Sequence, residues 1–238
     1  MAMIRHARLG LSQVGSAFQE LADLDDGTGG SVAVGSLLTA SSTLLPRAIA
    51  ELRRTRPNVS VLVTEGGTDT LFPALQRGEL DLVVGRLPEF VVHPNVLHHA
   101  LYRERISVLV RRGHPLLGRR KLKLAELANA AWILPPPETT VRRRLETLFQ
   151  NAGLEPPRPA VQSISLAISR RLLLETDMLG VLPDLVVDDE MRAGLILALP
   201  LELPSASVGV SRRRDALLPP AAQALIEAVQ VAARRMQT

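Results

Sequence analysis

From Ser31 onward, the apolar positions follow two alternating rhythms. "SVAVGSL", "VSVLVTE" and "LDLVVGR" are short apolar runs bounded by turn residues, which predicts strands. Between them, "LLPRAIAELRRTRP" and "TDTLFPALQRGE" space their apolar residues three and four apart, which predicts helices. Leu45, Ile49 and Leu52 share one face of the first of these. Strands apolar on both faces, alternating with helices, imply a parallel sheet covered by helices.

After Pro88 the order loosens, and a second α/β group follows. "RISVLVRR" predicts a strand in which Ile106, Val108 and Val110 alternate, closed by "HPL". "AAWILPPP" reads as a strand ending in prolines, and "TTVRRRLETLFQNAGL" as a helix finished by Asn151 to Gly153. "RPAVQS" and "ISLAISRRLLLETD" read as a strand and a helix, followed by "MLGVLPDLVV". The tail, from "ASVGV" to "AARRM", reads as a strand, a proline break and one long amphipathic helix. No internal repeat of solenoid period is present. Two similar groups in one chain of 238 residues predict two lobes with a crevice between them.

Ahead of both groups, Ile4, Ala7, Leu11, Val14, Phe18 and Leu21 form an a/d heptad stripe. It stops at "DLDDGTGG", where an Asp cluster and glycines end a helix. The stripe fits a coiled-coil helix and a helix packed on its own domain equally well. The glycine-rich break favours a separate helix feeding a new domain.

Composition narrows the function classes. The apolar fraction is 46% and the charged fraction 22%, ordinary for a folded soluble protein. Aromatics are 3%, too few for base-stacking or aromatic sugar platforms. With no cysteine there are no disulfides or thiolate metal sites, which points to a reducing compartment. No apolar segment approaches the ~20 residues that span a bilayer. The first residues lack the apolar core of a secretory signal. The chain is therefore expected to be cytoplasmic, with no membrane partner. Net charge is +4, almost all of it from Arg, since Lys121 and Lys123 are the only lysines. The basic clusters, such as Arg142–Arg144 and Arg212–Arg214, are scattered, so they read as solvated surface rather than a nucleic-acid groove.

The chemistry concentrates at one junction. "SLLTASSTLLP" places Ser36, Thr39, Ser41, Ser42 and Thr43 where the first strand meets the first helix. In open parallel sheets, ligands sit beyond the carboxyl ends of the strands, at a topological switch point. Hydroxyls there, with the unpaired N–H groups of a helix N-terminus, suit an anion. Helix capping by Ser42 or Thr43 is the plainer reading, and it accounts for one hydroxyl rather than five. None of the G-x-S-x-G, G-x-x-x-x-G-K or G-x-G-x-x-G motifs occurs. Among His6, His93, His98, His99 and His114 no pair has zinc-protease spacing, and His114 in "GHPL" reads as a packing residue. Catalytic residues, metal and cofactor are all expected to be absent.

Together "GSVAVG", "LLPRAIAELRRTRPNVSVLVTEG", "ALQRGELDLVVGRLPE", "RRGHPL" and "MLGVLPDLV" resemble the effector-binding part of LysR-type transcriptional regulators. The likeness is greatest to the branch with galactose-binding-protein and protocatechuate-pathway regulators, and covers Gly29 to about Arg235. It implies an α/β chain with two Rossmann-like lobes of the type II periplasmic-binding-protein fold. Two crossover strands, Arg105–Arg112 and Ala206–Arg213, would join them. Lobe I would be residues 29–110 and 208–238, lobe II residues 111–207, and residues 1–26 the end of a dimerising linker helix. The family's helix-turn-helix is absent from this sequence, so DNA would be a partner only through that missing part.

The same resemblance assigns site residues. Thr39 falls on a Ser/Thr of the first strand–helix loop, Thr68 on a Gly-Thr pair, and Arg86 on a strand-end Arg, all facing a ligand in the family. Ser41 and Ser42 join them from the hydroxyl-rich junction. Thr139 and Thr140 of "PPPETT" and Ser163 of "VQSIS" resemble second-lobe contacts, with plain helix capping equally open for Thr139 and Ser163. Glu138 could accept from a sugar hydroxyl or repel an anion. A small anionic or polyhydroxylated effector would then bind between the lobes of a homodimer or homotetramer. A periplasmic-type solute-binding protein is the alternative, since it would use the same crevice.

Overall fold

The computed structural model describes residues 29–88, 95–119, 122–201 and 203–237. The heptad stripe of Ile4 to Leu21, the linker assignment of residues 1–26, and His6 and His93 lie outside the described residues. The chain forms two compact units. Of the described residues, unit 1 holds those from 29 to Arg103 and those from Ser207 on, and unit 2 those of Glu104–Ala206.

Unit 1 begins with β1 (Gly30–Leu37), α1 (Leu38–Ser42), α2 (Leu44–Thr55), β2 (Val59–Gly66), α3 (Thr68–Arg77), β3 (Leu82–Arg86) and β4 (Val96–Glu104). The last strand and helix of the chain, β10 (Ala206–Arg213) and α8 (Pro220–Arg235), complete it. Its sheet runs β2-β1-β3-β10-β4. β1 is parallel to β2 and β3, and β10 is antiparallel to β3. The period of two along each strand divides its side chains between two cores. Val32, Val34, Leu82, Val84, Val208 and Val210 pack under α2 and α8, while Val83 packs with Leu71, Phe72 and Leu75 of α3. Helices therefore cover both faces, which is why these strands are apolar throughout.

Unit 2 repeats the plan with β5 (Ile106–Arg111), α4 (Leu124–Ala128), β6 (Trp132–Leu134), α5 (Thr140–Asn151), β7 (Pro159–Gln162), α6 (Leu166–Glu175), β8 (Leu179–Pro183), α7 (Asp188–Arg192) and β9 (Ile196–Ala198). The order is β7-β6-β8-β5-β9, with β6 parallel to β7 and β8, and β5 antiparallel to β8 and β9. Trp132, Leu145 and Phe149 fill one face, and Ile133, Leu173 and Leu182 the other. The Trp132 indole N–H donates to the Leu127 carbonyl at 2.7 Å, so the largest buried ring leaves no polar atom unpaired.

The sequence expectation divided the lobes at Val110; the units divide earlier, between Arg103 and Glu104. The reason is pairing: Ile106–Leu109 bond to β8 and Leu109–Arg111 to β9, which makes β5 an interior strand of the second sheet. The return passage falls between Ala206 and Ser207 rather than at Val208. β4 occupies a stretch that carries no clear strand pattern in the sequence.

Candidate ligand site at the strand ends

In unit 1 the chain leaves β1 for β2 on one side, then returns to β3 on the other. The carboxyl end of β1 is thus a switch point, where the two connections diverge. In unit 2, β6 stands in the same relation to β7 and β8. Thr39 follows β1, Thr68 follows β2, and Arg86 ends β3, so the three lie at the carboxyl ends of three adjacent parallel strands. Thr139 and Thr140 follow β6, and Ser163 follows β7.

Hydrogen bonding separates the hydroxyls that the sequence groups together. The Ser41 hydroxyl donates to the Leu38 carbonyl at 2.8 Å, and the Ser42 hydroxyl to the Thr39 carbonyl at 3.2 Å. The Thr43 hydroxyl donates to the Thr39 carbonyl at 2.8 Å. These bonds go to the carbonyls of the first two residues of the five-residue α1, which stops before α2 begins. Neither Ser42 nor Thr43 caps a helix N-terminus through its side chain, contrary to the plainer sequence reading. Ser36 is fully buried. Among the described residues the Thr39 hydroxyl has no partner, so it is the one of the five whose donor the fold does not use.

The same sorting applies elsewhere. Thr68 is the first residue of α3, its hydroxyl has no partner among the described residues, and Gly67 before it supplies no side-chain cap. Arg86 is half-buried and pairs in register with Val208 of β10. Thr139 is occupied: its hydroxyl donates to the Pro136 carbonyl at 2.7 Å and caps α5 by accepting from the Arg142 N–H. Thr140 beside it keeps a hydroxyl without a partner among the described residues. Ser163 accepts from the Ser165 N–H at 3.1 Å, and Ser165, not Ser163, caps α6. Ser41, Ser42 and Thr139 have therefore spent their donors on the fold and Ser163 is engaged as an acceptor, while Thr39, Thr68 and Thr140 have no side-chain bond among the described residues.

Sequence reasoning missed a buried histidine that does more than pack. His114 accepts the Leu116 N–H at Nδ1, 3.2 Å, and donates from Nε2 to the Asp177 carbonyl, 3.0 Å. It thereby ties the turn after β5 to the link between α6 and β8, where Asp177 also meets Arg111 at 2.8 Å. "GHPL" signals a turn, but the distant carbonyl is set by the fold.

Among the described residues no cluster of three or more His, Asp or Glu side chains could hold a metal. Among them no helix is long and apolar enough to cross a membrane.

Residues 25–234 match the family model described as the LysR substrate binding domain. The regulator GbpR of Azospirillum brasilense is 36% identical over 180 residues, covering 75% of this chain and 53% of GbpR. GalR of Pseudomonas putida is 36% identical over 203 residues, covering 84% of this chain and 51% of GalR. Both are named HTH-type transcriptional regulators, and the chain spans about half the length of each. The effector binding domain of QuiR, solved in complex with shikimate, aligns with a TM-score of 0.71 at 15% identity, over 87% of this chain and 98% of that one. That likeness is one of fold, two mixed α/β sheets of the kind found here. The chain belongs to the LysR substrate-binding domain family.

Proposed function

We propose that this chain is the effector-sensing part of a transcriptional regulator, and that it binds a small hydroxylated or anionic metabolite without transforming it. The observation that carries this reading is the selective freedom of hydroxyls at the carboxyl ends of the parallel strands. Thr39 and Thr68 keep donors that the fold has not used, and Arg86 closes the adjacent strand with a planar cation suited to a carboxylate. Thr140 would serve the same purpose in unit 2. The metabolite shifts the regulator between states only by the difference in its affinity for them. DNA contact is assigned to a helix-turn-helix of the kind named in the relatives, and the setting to the cytoplasm. Self-association into dimers or tetramers has a surface to use: β2 is an edge strand exposing Leu62 (65%) and Val63 (43%). The relatives are regulators, which counts against the solute-binding alternative.

The test is a thermal-shift and denaturation series with shikimate, protocatechuate and galactose as probes. A ligand at about a hundredfold excess over its Kd stabilises by about 3 kcal/mol. Thr39→Val and Arg86→Ala should each abolish that stabilisation, whereas Ser41→Ala, whose hydroxyl is already engaged, should keep it. If both variants retain the full wild-type shift, the site lies elsewhere.

A further inference from the structure

Arg213 is the last residue of β10, far along the chain from the strand–helix units it joins. Its Nη1 donates to two carbonyls at once: Leu75 at 2.9 Å and Leu80 at 3.0 Å. Leu75 lies in the last turn of α3, which Gly78 ends in the left-handed conformation at φ 79°, and Leu80 lies in the link to β3. A cation at that end of a helix is favoured by the negative pole of the peptide dipoles. The adjoining residue, Asp81, accepts the Ala33 N–H of β1 at 2.8 Å. The short stretch from Gly78 to Asp81 is therefore held from two strands, by Arg213 from β10 and by Ala33 from β1. Burial pushes the Arg213 pKa down against the opposing charge of Asp81, so this is a guanidinium held at some cost in solvation.

The two ends of each element differ. α3 is fixed at its carboxyl end by this polar knot, while its first turn, Thr68 to Thr70, is exposed and begins at an uncapped glycine. β10 is fixed at its carboxyl end by Arg213, while its first residue, Ala206, is fully buried in the core of unit 2. We propose that Arg213 is a positioning residue that makes α3 and β10 one mechanical piece, joining the Thr68 end of the ligand site to the strand by which the chain returns from unit 2. This rests on the effector-site reading for its purpose, although the joint itself does not require a ligand. The device is a relay: a metabolite that draws the first turn of α3 acts on β10 through Leu75, Leu80 and Arg213. A simple helix cap would hold the end of α3 and leave β10 to its neighbours.

Amide hydrogen exchange on the full chain, without ligand, separates the two. In the wild type the last turn of α3 and residues Val208–Val210 of β10 should exchange with the same dependence on denaturant, as one cooperative unit. Arg213→Met should raise exchange by about tenfold in both segments and leave the β1–β2 pairing unchanged. Arg213→Lys, which keeps the charge but not the fork, should give an intermediate increase in both. The proposal is overturned if either variant speeds exchange in α3 alone, with Val208–Val210 at the wild-type rate. Should Arg213→Met not fold, the lysine variant decides by the same criterion. Failure of the Thr39 and Arg86 ligand series would remove the effector reading and leave this result standing.

Discussion

A polar side chain serves a ligand only with the bonding capacity that the fold has left over. The hydroxyl-rich junction shows this: Ser41, Ser42 and Thr43 all donate to carbonyls of α1, and Thr39, just ahead of them, does not. Asp81 is a second case of a group spent on the fold. Burial raises its carboxyl pKa, against the lowering effects of the Ala33 N–H and the Arg213 charge. A raised value means that the folded chain holds the proton more tightly than the unfolded chain. Its contribution is therefore greatest at low pH and is lost as pH rises from about 4 through the folded value. Asp81→Asn keeps an acceptor for the Ala33 N–H and has no charge to desolvate. Its urea midpoint should be flatter than that of the wild type across that window, and higher above it. A variant curve parallel to the wild type would show that Asp81 is not the group responsible. The sequence displayed these residue types openly. It did not display which were engaged, because engagement at the junction depends on α1 stopping after five residues, and at Asp81 on a backbone N–H 48 positions away.

Elements were legible where their period was strong. β1, β3 and β5 are largely buried apolar runs, β2 is an apolar run on an exposed edge, and α2, α3, α5 and α8 carry one apolar stripe each, so their sequences declared them. β4 was missed because it is an edge strand whose His98, His99 and Ala100 are exposed, which gives it no apolar run. Short helices such as α1 and α7 lack the length for a period to show. What the pattern could not convey is how closely strands approach. Gly209 of β10 lies so near β4 that a Cβ there would stand 2.0 Å from the His99 carbonyl oxygen. That contact is with backbone, which cannot swing aside. Gly209→Ala is expected to destabilise by about 2 kcal/mol or more, read as a lowered urea midpoint at unchanged slope. Retention of the wild-type midpoint would mean that β4 yields easily. Gly85 is constrained differently, with φ 148° and the Leu37 Cβ 2.5 Å from where its own would be.

For the whole molecule, the sequence correctly implied two α/β groups and misplaced the seam, since a strand's partners decide which sheet owns it. Each unit has cores on both faces of its own sheet. A lesion confined to one should therefore be felt first by that one. Phe149 is fully buried in unit 2 and meets Trp132 edge-on with ring centroids 6.4 Å apart. Phe149→Ala should cost about 3–5 kcal/mol locally and split the denaturation into two steps. The early step should carry the Trp132 fluorescence change, because the protein has a single tryptophan. One unbroken transition at a lower midpoint would instead show that the units unfold together.

The positions of the two passages, at Arg103–Glu104 and Ala206–Ser207, mean that unit 2 is one continuous stretch of the chain, whereas unit 1 is drawn from two stretches on either side of it. During synthesis the first sheet must therefore wait: β10, which sits between β3 and β4, leaves the ribosome only after every strand of unit 2. Unit 2 can assemble on the nascent chain, and unit 1 is completed last.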